Sequence, residues 1–276
     1  MEERLELKQI ERSLIKTYRK DIWAKFVRAS VEYKLIEEND KIAVAISGGK
    51  DSLILAKLIQ ELQRINVVSF DVEFIVMDPG FSKENLDSLI DNCAYLNIPI
   101  KIKKSNVFDV SKKLSSTGKP CYMCARMRRG FLYEFARELG CNKLALGHHF
   151  NDVIETIMLN VLYAGSYKTM VPKVKSMNFE GITLIRPLYL IKEKDIIRWA
   201  KNAHLKTMNC GCEVAKGEID SKRKEIKELI ASLKEKNDNV DYSIFRSAEN
   251  VSLGALLGYK KGEEKIDFLQ IFDEEE

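Results

Sequence analysis

A doubly wound α/β fold, built on a mostly parallel sheet of five strands, is what this sequence predicts, on three observations. Lys41–Ile46 carries Ile42, Ala43, Val44, Ala45 and Ile46 without interruption, as a strand buried on both faces of a parallel sheet requires. Directly after it, Leu53, Leu55, Ala56, Leu58, Ile59 and Leu62 fall at helical spacing through Asp51–Arg64. The strand-then-helix alternation then repeats down the chain, as successive βα units do.

The elements follow in order. Residues 1–36 lack Gly and Pro, and Leu14, Ile15, Tyr18, Ile22, Phe26 and Val27 recur at helical spacing, so a helical stretch precedes the first strand. Val72–Met77 reads as a second buried strand, closed by Asp78-Pro79-Gly80, and Ser82 is a suitable N-cap for a helix running to Leu96. Ile98–Ile102 and Lys143–Gly147 are the third and fourth strands, with an arginine-rich helix between them. Asp152–Tyr163 is a helix, Ile182–Ile185 the fifth strand, Glu193–Ala203 another helix and Gly217–Lys236 a charged final helix. Three stretches are expected: an N-terminal helical segment (1–39), the α/β domain (40–205) and a C-terminal appendage (206–276).

Composition narrows the class. The 276 residues are 45% hydrophobic and 31% charged, enough for a core under a solvated surface. No apolar run approaches the roughly 20 residues of a membrane helix, and Met1-Glu2-Glu3-Arg4 does not open a signal peptide. A cytoplasmic protein without a membrane partner is expected. The net charge is only +4, but an acidic end, Asp273-Glu274-Glu275-Glu276, offsets basic residues elsewhere. Those basic residues include Lys101, Lys103, Lys104, Lys119, Arg126, Arg128, Arg129, Lys168, Lys173 and Lys175, and they flank the motifs below. Each alone is an ordinary surface charge; together they favour a phosphate-bearing partner.

The first strand-to-helix turn is Ser47-Gly48-Gly49-Lys50-Asp51-Ser52. Two glycines let backbone N–H groups approach a phosphate, and the N-terminus of the following helix adds unpaired donors and a positive dipole. Ser47 and Ser52 add hydroxyls and Lys50 a point charge. Asp51 suits magnesium or loop ordering better than bare phosphate. A plain turn of small residues would need less than this whole hexapeptide, and the Walker A pattern needs a longer loop.

Six cysteines in a cytosolic chain argue against a disulfide framework. Cys93 and Cys141 read as small buried side chains. Cys121-Tyr122-Met123-Cys124 admits three readings: a redox dithiol, half a zinc site, or part of an iron–sulfur site. Its remaining partners are Cys210 and Cys212, so two ligands here and one there would leave one iron of a cluster open.

The hexapeptide resembles the SGGxDS loop of the N-type ATP pyrophosphatases, which cleave ATP to AMP and pyrophosphate. That resemblance implies that Met77, at the second strand end, lies beside the adenine. It narrows through Cys121–Gly130, Leu146-Gly147-His148-His149-Phe150-Asn151-Asp152, Ile185-Arg186-Pro187-Leu188 and Glu193-Lys194-Asp195-Ile196, which in this order are similar to the tRNA 2-thiocytidine synthetase group. The motifs run from about residue 40 to about residue 212, and their joint occurrence is far more specific than any one of them. Members carry a [4Fe-4S] cluster on three cysteines and thiolate C2 of cytidine-32 in the tRNA anticodon loop. The related uridine-54 thiolases carry CxxC pairs at both chain ends, whereas residues 1–92 here hold no cysteine.

The resemblance implies ATP contacts at Ser47, Gly48, Gly49, Lys50, Asp51, Ser52, Met77, Gly147 and His148, and catalytic roles for Lys50, Arg128 and Asp152. It implies cluster ligation by Cys121, Cys124 and Cys210 or Cys212. The group has Pro-Cys-x-x-Cys-Gly at the third ligand, whereas this chain has Asn209-Cys210-Gly211-Cys212; counting from Lys194-Asp195-Ile196 favours Cys210, and counting back from Arg223 favours Cys212. Bland readings stand beside these: Asp152 as a helix N-cap, Arg128 and Arg129 as surface charges, His149 as a satisfied structural histidine. The expected chemistry is adenylation of the cytosine C2 oxygen, then displacement of AMP by sulfur. Its expected cofactors and partners are ATP, Mg2+, the [4Fe-4S] cluster, tRNA, a sulfur donor such as sulfide or a cysteine desulfurase, and a second copy of the chain in a homodimer. The alternatives are the same loop acting on another tRNA base or a small molecule, and a non-catalytic ATP- and RNA-binding iron–sulfur protein.

Overall fold

A computed structural model describes residues 4–105, 120–206 and 218–273, the side chains of 120–125, 218–221, 271 and 273 excepted. It begins with helix α1 (Leu7–Ile15), a π-helical turn (Arg19–Trp23) and α2 (Ala24–Glu32). The expected helical stretch is thus interrupted, for a geometric reason. Buried Ile10, Leu14, Tyr18, Ile22 and Phe26 recur every four residues. On an α-helix of about 3.6 residues per turn that spacing drifts by about 40° per step. The wider turn, in which the Trp23 N–H donates to the Tyr18 carbonyl at 3.2 Å, absorbs the drift and keeps all five on the core.

The sheet contains β1 (Lys41–Ala45), β2 (Asp71–Asp78), β3 (Ile100–Lys104), β4 (Lys143–Ala145), β5 (Lys173–Lys175) and β6 (Thr183–Ile185). Its order is β3-β2-β1-β4-β6-β5, parallel except for β5 against β6. The sheet therefore has six strands where five were expected. The sixth, Lys173-Val174-Lys175, is a half-exposed edge too short and too basic to read as a strand, and lysines suit such an edge because they discourage further pairing. Lys173 anchors it through an ammonium 2.9 Å from Glu37.

Helices α3 (Lys50–Ile65), α4 (Lys83–Tyr95), α5 (Pro120–Glu138) and α6 (Phe150–Ala164) connect the strands, and α7 (Glu193–Asn202) follows β6. The main core gathers Ile42 and Val44 with α1, α2, α3, α6 and α7, while Ala43, Ile75 and Leu144 face a second cluster under Tyr133, Phe135 and Ala136 of α5. Cys93 and Cys141 are free and buried as expected; burial pushes their thiols up to about 12 and about 11. Beyond α7 lie α8 (Glu218–Lys236), α9 (Val240–Ser247), a hairpin of β7 (Gly258–Lys261) and β8 (Glu264–Asp267), and α10 (Phe268–Asp273). Ile226, Ile230 and Phe245 enter the main core. Among the described residues no helix is long and apolar enough to cross a membrane.

Strand order reverses between β1 and β4, and open α/β sheets bind ligands in the crevice beyond the strand ends at such a point. The hexapeptide sits there.

Candidate active site

The loop leaves β1 at Ala45 and enters α3 at Lys50. Gly48 has φ +81°, a left-handed conformation in which a Cβ would be strained. Gly49 is the N-cap, so no side chain caps α3 and the first-turn N–H groups lack an intrahelical partner. Ser52 is buried. Its hydroxyl donates to the Gly49 carbonyl at 2.9 Å and accepts the Ser47 N–H at 3.1 Å, while the Ser47 hydroxyl accepts the Gly49 N–H at 3.4 Å. Ser52 thus shapes the loop from beneath rather than reaching outward.

Lys50 lies with its Nζ 3.2 Å from Asp51 Oδ2 and 3.2 Å from Glu193 Oε1. Burial opposes its charge, but the two carboxylates more than offset that and raise its pKa. Asp51 Oδ1 is buried with no hydrogen-bond partner, 3.8 Å from His149 Nε2.

A second turn, between β4 and α6, packs onto this loop. A Cβ on Gly147 would stand 3.0 Å from the Asp51 carbonyl carbon and 3.2 Å from the Ser52 nitrogen, so only glycine lets the two backbones lie this close. Asp152 does not open the helix, as an N-cap would. Helix α6 starts at Phe150 with His149 as N-cap, and Asp152 is its third residue. Asp152 Oδ2 accepts the His149 N–H at 3.0 Å, and His149 Nδ1 accepts the Asp152 N–H at 3.4 Å, a reciprocal capping box. With Nδ1 accepting, the ring proton belongs on Nε2, towards Asp51.

A third turn joins the first two. Asn151 Oδ1 accepts the Glu193 N–H at 3.0 Å, and the Ile191 carbonyl accepts the Phe150 N–H at 3.0 Å, which ties the start of α7 to the start of α6. Met77 is buried at the end of β2 beside β1, where Asp78 Oδ1 accepts the Gly80 and Phe81 N–H groups at 2.9 Å each.

Above these turns charge gathers. His148 has a buried Nδ1 without a hydrogen-bond partner, and burial, with Arg186, Arg223 and Arg129 adding, pushes it down to about 4 against the pull of Asp152. It is neutral at ordinary pH. Arg186 is buried, its guanidinium donating to the Val171 carbonyl, and burial with the neighbouring Arg129 charge lowers it to about 10. Arg128 is half-buried on α5 and Arg129 exposed. Helix α5 packs on the other face of the sheet from α3 but leads into β4, so its first turn, with the backbone of Cys121 and Cys124, starts at the same strand ends as the loop. The cysteine side chains, and Cys210 and Cys212 altogether, lie outside the described residues.

A PP-loop domain model matches residues 7–210. A tRNA-cytidine(32) 2-sulfurtransferase from Geobacter metallireducens is 37% identical over 231 residues, 83% of this chain and 89% of that protein. One from Geotalea uraniireducens is 38% identical over 232 residues, 83% and 91% of the two. The chain belongs to this PP-loop sulfurtransferase family. Among solved structures, the U34-tRNA thiolase NcsA from Methanococcus maripaludis with its [4Fe-4S] cluster matches at TM-score 0.65 and 24% identity, covering 91% of this chain and 81% of that one. That likeness is one of fold.

Around this site three acidic and basic side chains escaped sequence reasoning as site residues. Glu193 was legible only as part of a motif, Arg223 only as a marker for counting, and Glu155 not at all. Glu155 is 5% exposed on α6, with Arg223 Nε 3.5 Å away. Burial, with the Asp152 charge, pushes its carboxyl up to about 7. A carboxyl whose pKa rises on folding binds more protons folded than unfolded, so its contribution is fullest below its ordinary value and is lost as pH rises towards 7. Glu155→Gln is therefore expected to raise the melting temperature at pH 8 and leave it nearly unchanged at pH 4.5. An equal shift at both pH values would refute the assignment.

Proposed function

We propose that the protein is an ATP-dependent tRNA sulfurtransferase that forms 2-thiocytidine at position 32. The observation that carries this is the glycine-tight junction of two turns at the sheet's reversal point, which aims uncapped α3 N–H groups and Lys50 at a phosphate. The membership given by the relatives supplies the substrate class.

The residues divide the work. The α3 N-terminus, Gly48, Gly49 and Lys50 bind ATP phosphates, with Ser47 and Ser52 fixing the loop and Met77 beside the base of the nucleotide. Gly147 admits the close approach, and His148, kept neutral by burial, meets the nucleotide without adding a charge. Asp51 and Asp152 flank His149 and would hold Mg2+. Among the described residues no group of three or more His, Cys, Asp or Glu could hold a metal, yet magnesium commonly takes one or two carboxylates and completes its shell with phosphate and water. The buried, unpaired Asp51 Oδ1 fits such a ligand. Charge developing on the α-phosphate would be met by Lys50, Arg128 and the N–H groups as the cytosine C2 oxygen attacks, the bond to the β-phosphate breaks and pyrophosphate leaves. Sulfur then replaces the C2–O bond and AMP departs. Cys121, Cys124 and Cys210 or Cys212 are a thiolate set suited to a [4Fe-4S] cluster, which would supply sulfur beside the activated carbon. The nucleotide chemistry belongs to residues 40–205, the segment 1–39 buttresses it, and 206–276 brings the third thiolate. Sulfide or a cysteine desulfurase is the donor, and the working form is a homodimer.

The test is anaerobic reconstitution with iron and sulfide, incubation with ATP and tRNA, and mass spectrometry of the nucleosides. 2-Thiocytidine with stoichiometric pyrophosphate is expected. A different thionucleoside would refute the base assignment, and ATP binding without turnover would favour a non-catalytic protein. In the same assay Cys121→Ser is expected to abolish thiolation while binding an ATP analogue within about twofold of the unaltered protein, because ligation and phosphate binding use separate groups.

A further inference from the structure

Glu193 stands at the start of α7 with each carboxylate oxygen on a different lysine. Oε1 is 3.2 Å from Lys50 of the loop, and Oε2 is 2.6 Å from Lys227 of α8. The Glu193 side chain is 17% exposed, Lys50 24% and Lys227 55%. Burial works against the Glu193 charge, yet the two ammonium groups outweigh it and hold its carboxyl below the usual range. Lys227 is not needed to pin α8, because Ile226 and Ile230 bury in the main core and Arg223 pairs with Glu155.

That bridge has a consequence once Lys50 is asked to bind phosphate. Lys50 cannot give its full charge to a phosphate while neutralising Glu193. If it turns to the phosphate, an acidic side chain is left close to another anion, and at an effective dielectric of about 20 such repulsion across several ångströms changes affinity by about tenfold or more. Lys227 sits on the other oxygen and cancels that repulsion.

We propose that Glu193 and Lys227 are positioning residues that set the phosphate affinity of the loop: Glu193 holds Lys50 in place, releases it to phosphate, and leaves its own charge with Lys227. This rests on reading residues 47–52 as the nucleotide site. Helix α8, through the Lys227–Glu193 pair, thereby becomes a determinant of nucleotide binding.

The experiment is calorimetric titration of the full-length protein with a non-hydrolysable ATP analogue. Lys227→Met is expected to weaken binding about tenfold, since it leaves the Glu193 carboxylate uncompensated. Adding Glu193→Gln, whose amide oxygen still accepts from Lys50 but carries no charge, to Lys227→Met is expected to restore affinity to within about twofold of the unaltered protein, a coupling that loss of packing would not give. The relay is overturned if Lys227→Met binds normally, or if the double variant binds as weakly as Lys227→Met alone. Lys50→Ala, titrated alongside, separates the two possible failures. If it weakens binding while Lys227→Met does not, the relay alone falls; if neither does, the nucleotide reading falls with it.

Discussion

Gly147→Ala is expected to lower affinity for a non-hydrolysable ATP analogue by about tenfold or more and to cost about 1–3 kcal/mol of stability. The added Cβ would meet the Asp51 carbonyl carbon at 3.0 Å, its oxygen at 3.1 Å and the Ser52 nitrogen at 3.2 Å. These are main-chain atoms of the first turn of α3, held by the Ser52 hydroxyl on one side and buried helix packing on the other. A flexible side chain could swing aside, but this turn must move as a unit by a few tenths of an ångström. The same movement shifts the N–H groups that bind phosphate, so stability and affinity should fall together. Gly130, which has nothing within 4 Å of its would-be Cβ, is the control, and Gly130→Ala should bind the analogue normally. Thermal melting and calorimetry of both variants decide it. Normal binding by Gly147→Ala would mean that the two turns do not depend on each other.

How much of this was legible beforehand follows from which interactions are local. The run Ile42–Ile46 and the helical period after Asp51 declare themselves within a few residues, so β1, α3 and the loop between them were readable from composition and spacing alone. Ser82 also capped α4 as expected, accepting the Asn85 N–H at 3.3 Å. By contrast, Lys173-Val174-Lys175 becomes a strand only because β6 is there to pair with it, and a three-residue edge carries no period of its own. The π-helical turn is set by packing of Tyr18, Ile22 and Phe26 in the main core rather than by any breaker residue. At the site the division is the same. The loop could be read, but the pairing of Lys50 with Glu193, which lies 143 positions further along the chain, could not, and neither could the closeness of Gly147 to Asp51. The capping role of His149 was hidden because histidine is a rare acceptor at that position, so the nearby aspartate drew the expectation instead.

Asp152→Asn is expected to reduce tRNA thiolation by about 100- to 1,000-fold, the order found when a charge-stabilising group is removed from a reacting centre. The substitution separates two roles that coincide in one side chain. As the third residue of α6, Asp152 accepts the His149 N–H at 3.0 Å, and an asparagine carbonyl can accept the same bond. Capping should therefore survive, with stability changed by less than about 1 kcal/mol. What asparagine cannot supply is the negative charge that Mg2+ would require and that opposes the neighbouring Arg186, Arg223 and Arg129. Asp152→Ala removes both roles and should lose a further ~1 kcal/mol of stability without a much larger loss of rate. Because the Asp152 charge helps to raise Glu155, the Asn variant should also bring the Glu155 titration down from about 7, which carbon-13 NMR of the carboxyl can follow. If Asp152→Asn thiolates tRNA at the normal rate while Asp152→Ala melts early, the side chain is a helix cap and nothing more, and the catalytic charge must come from Asp51 alone.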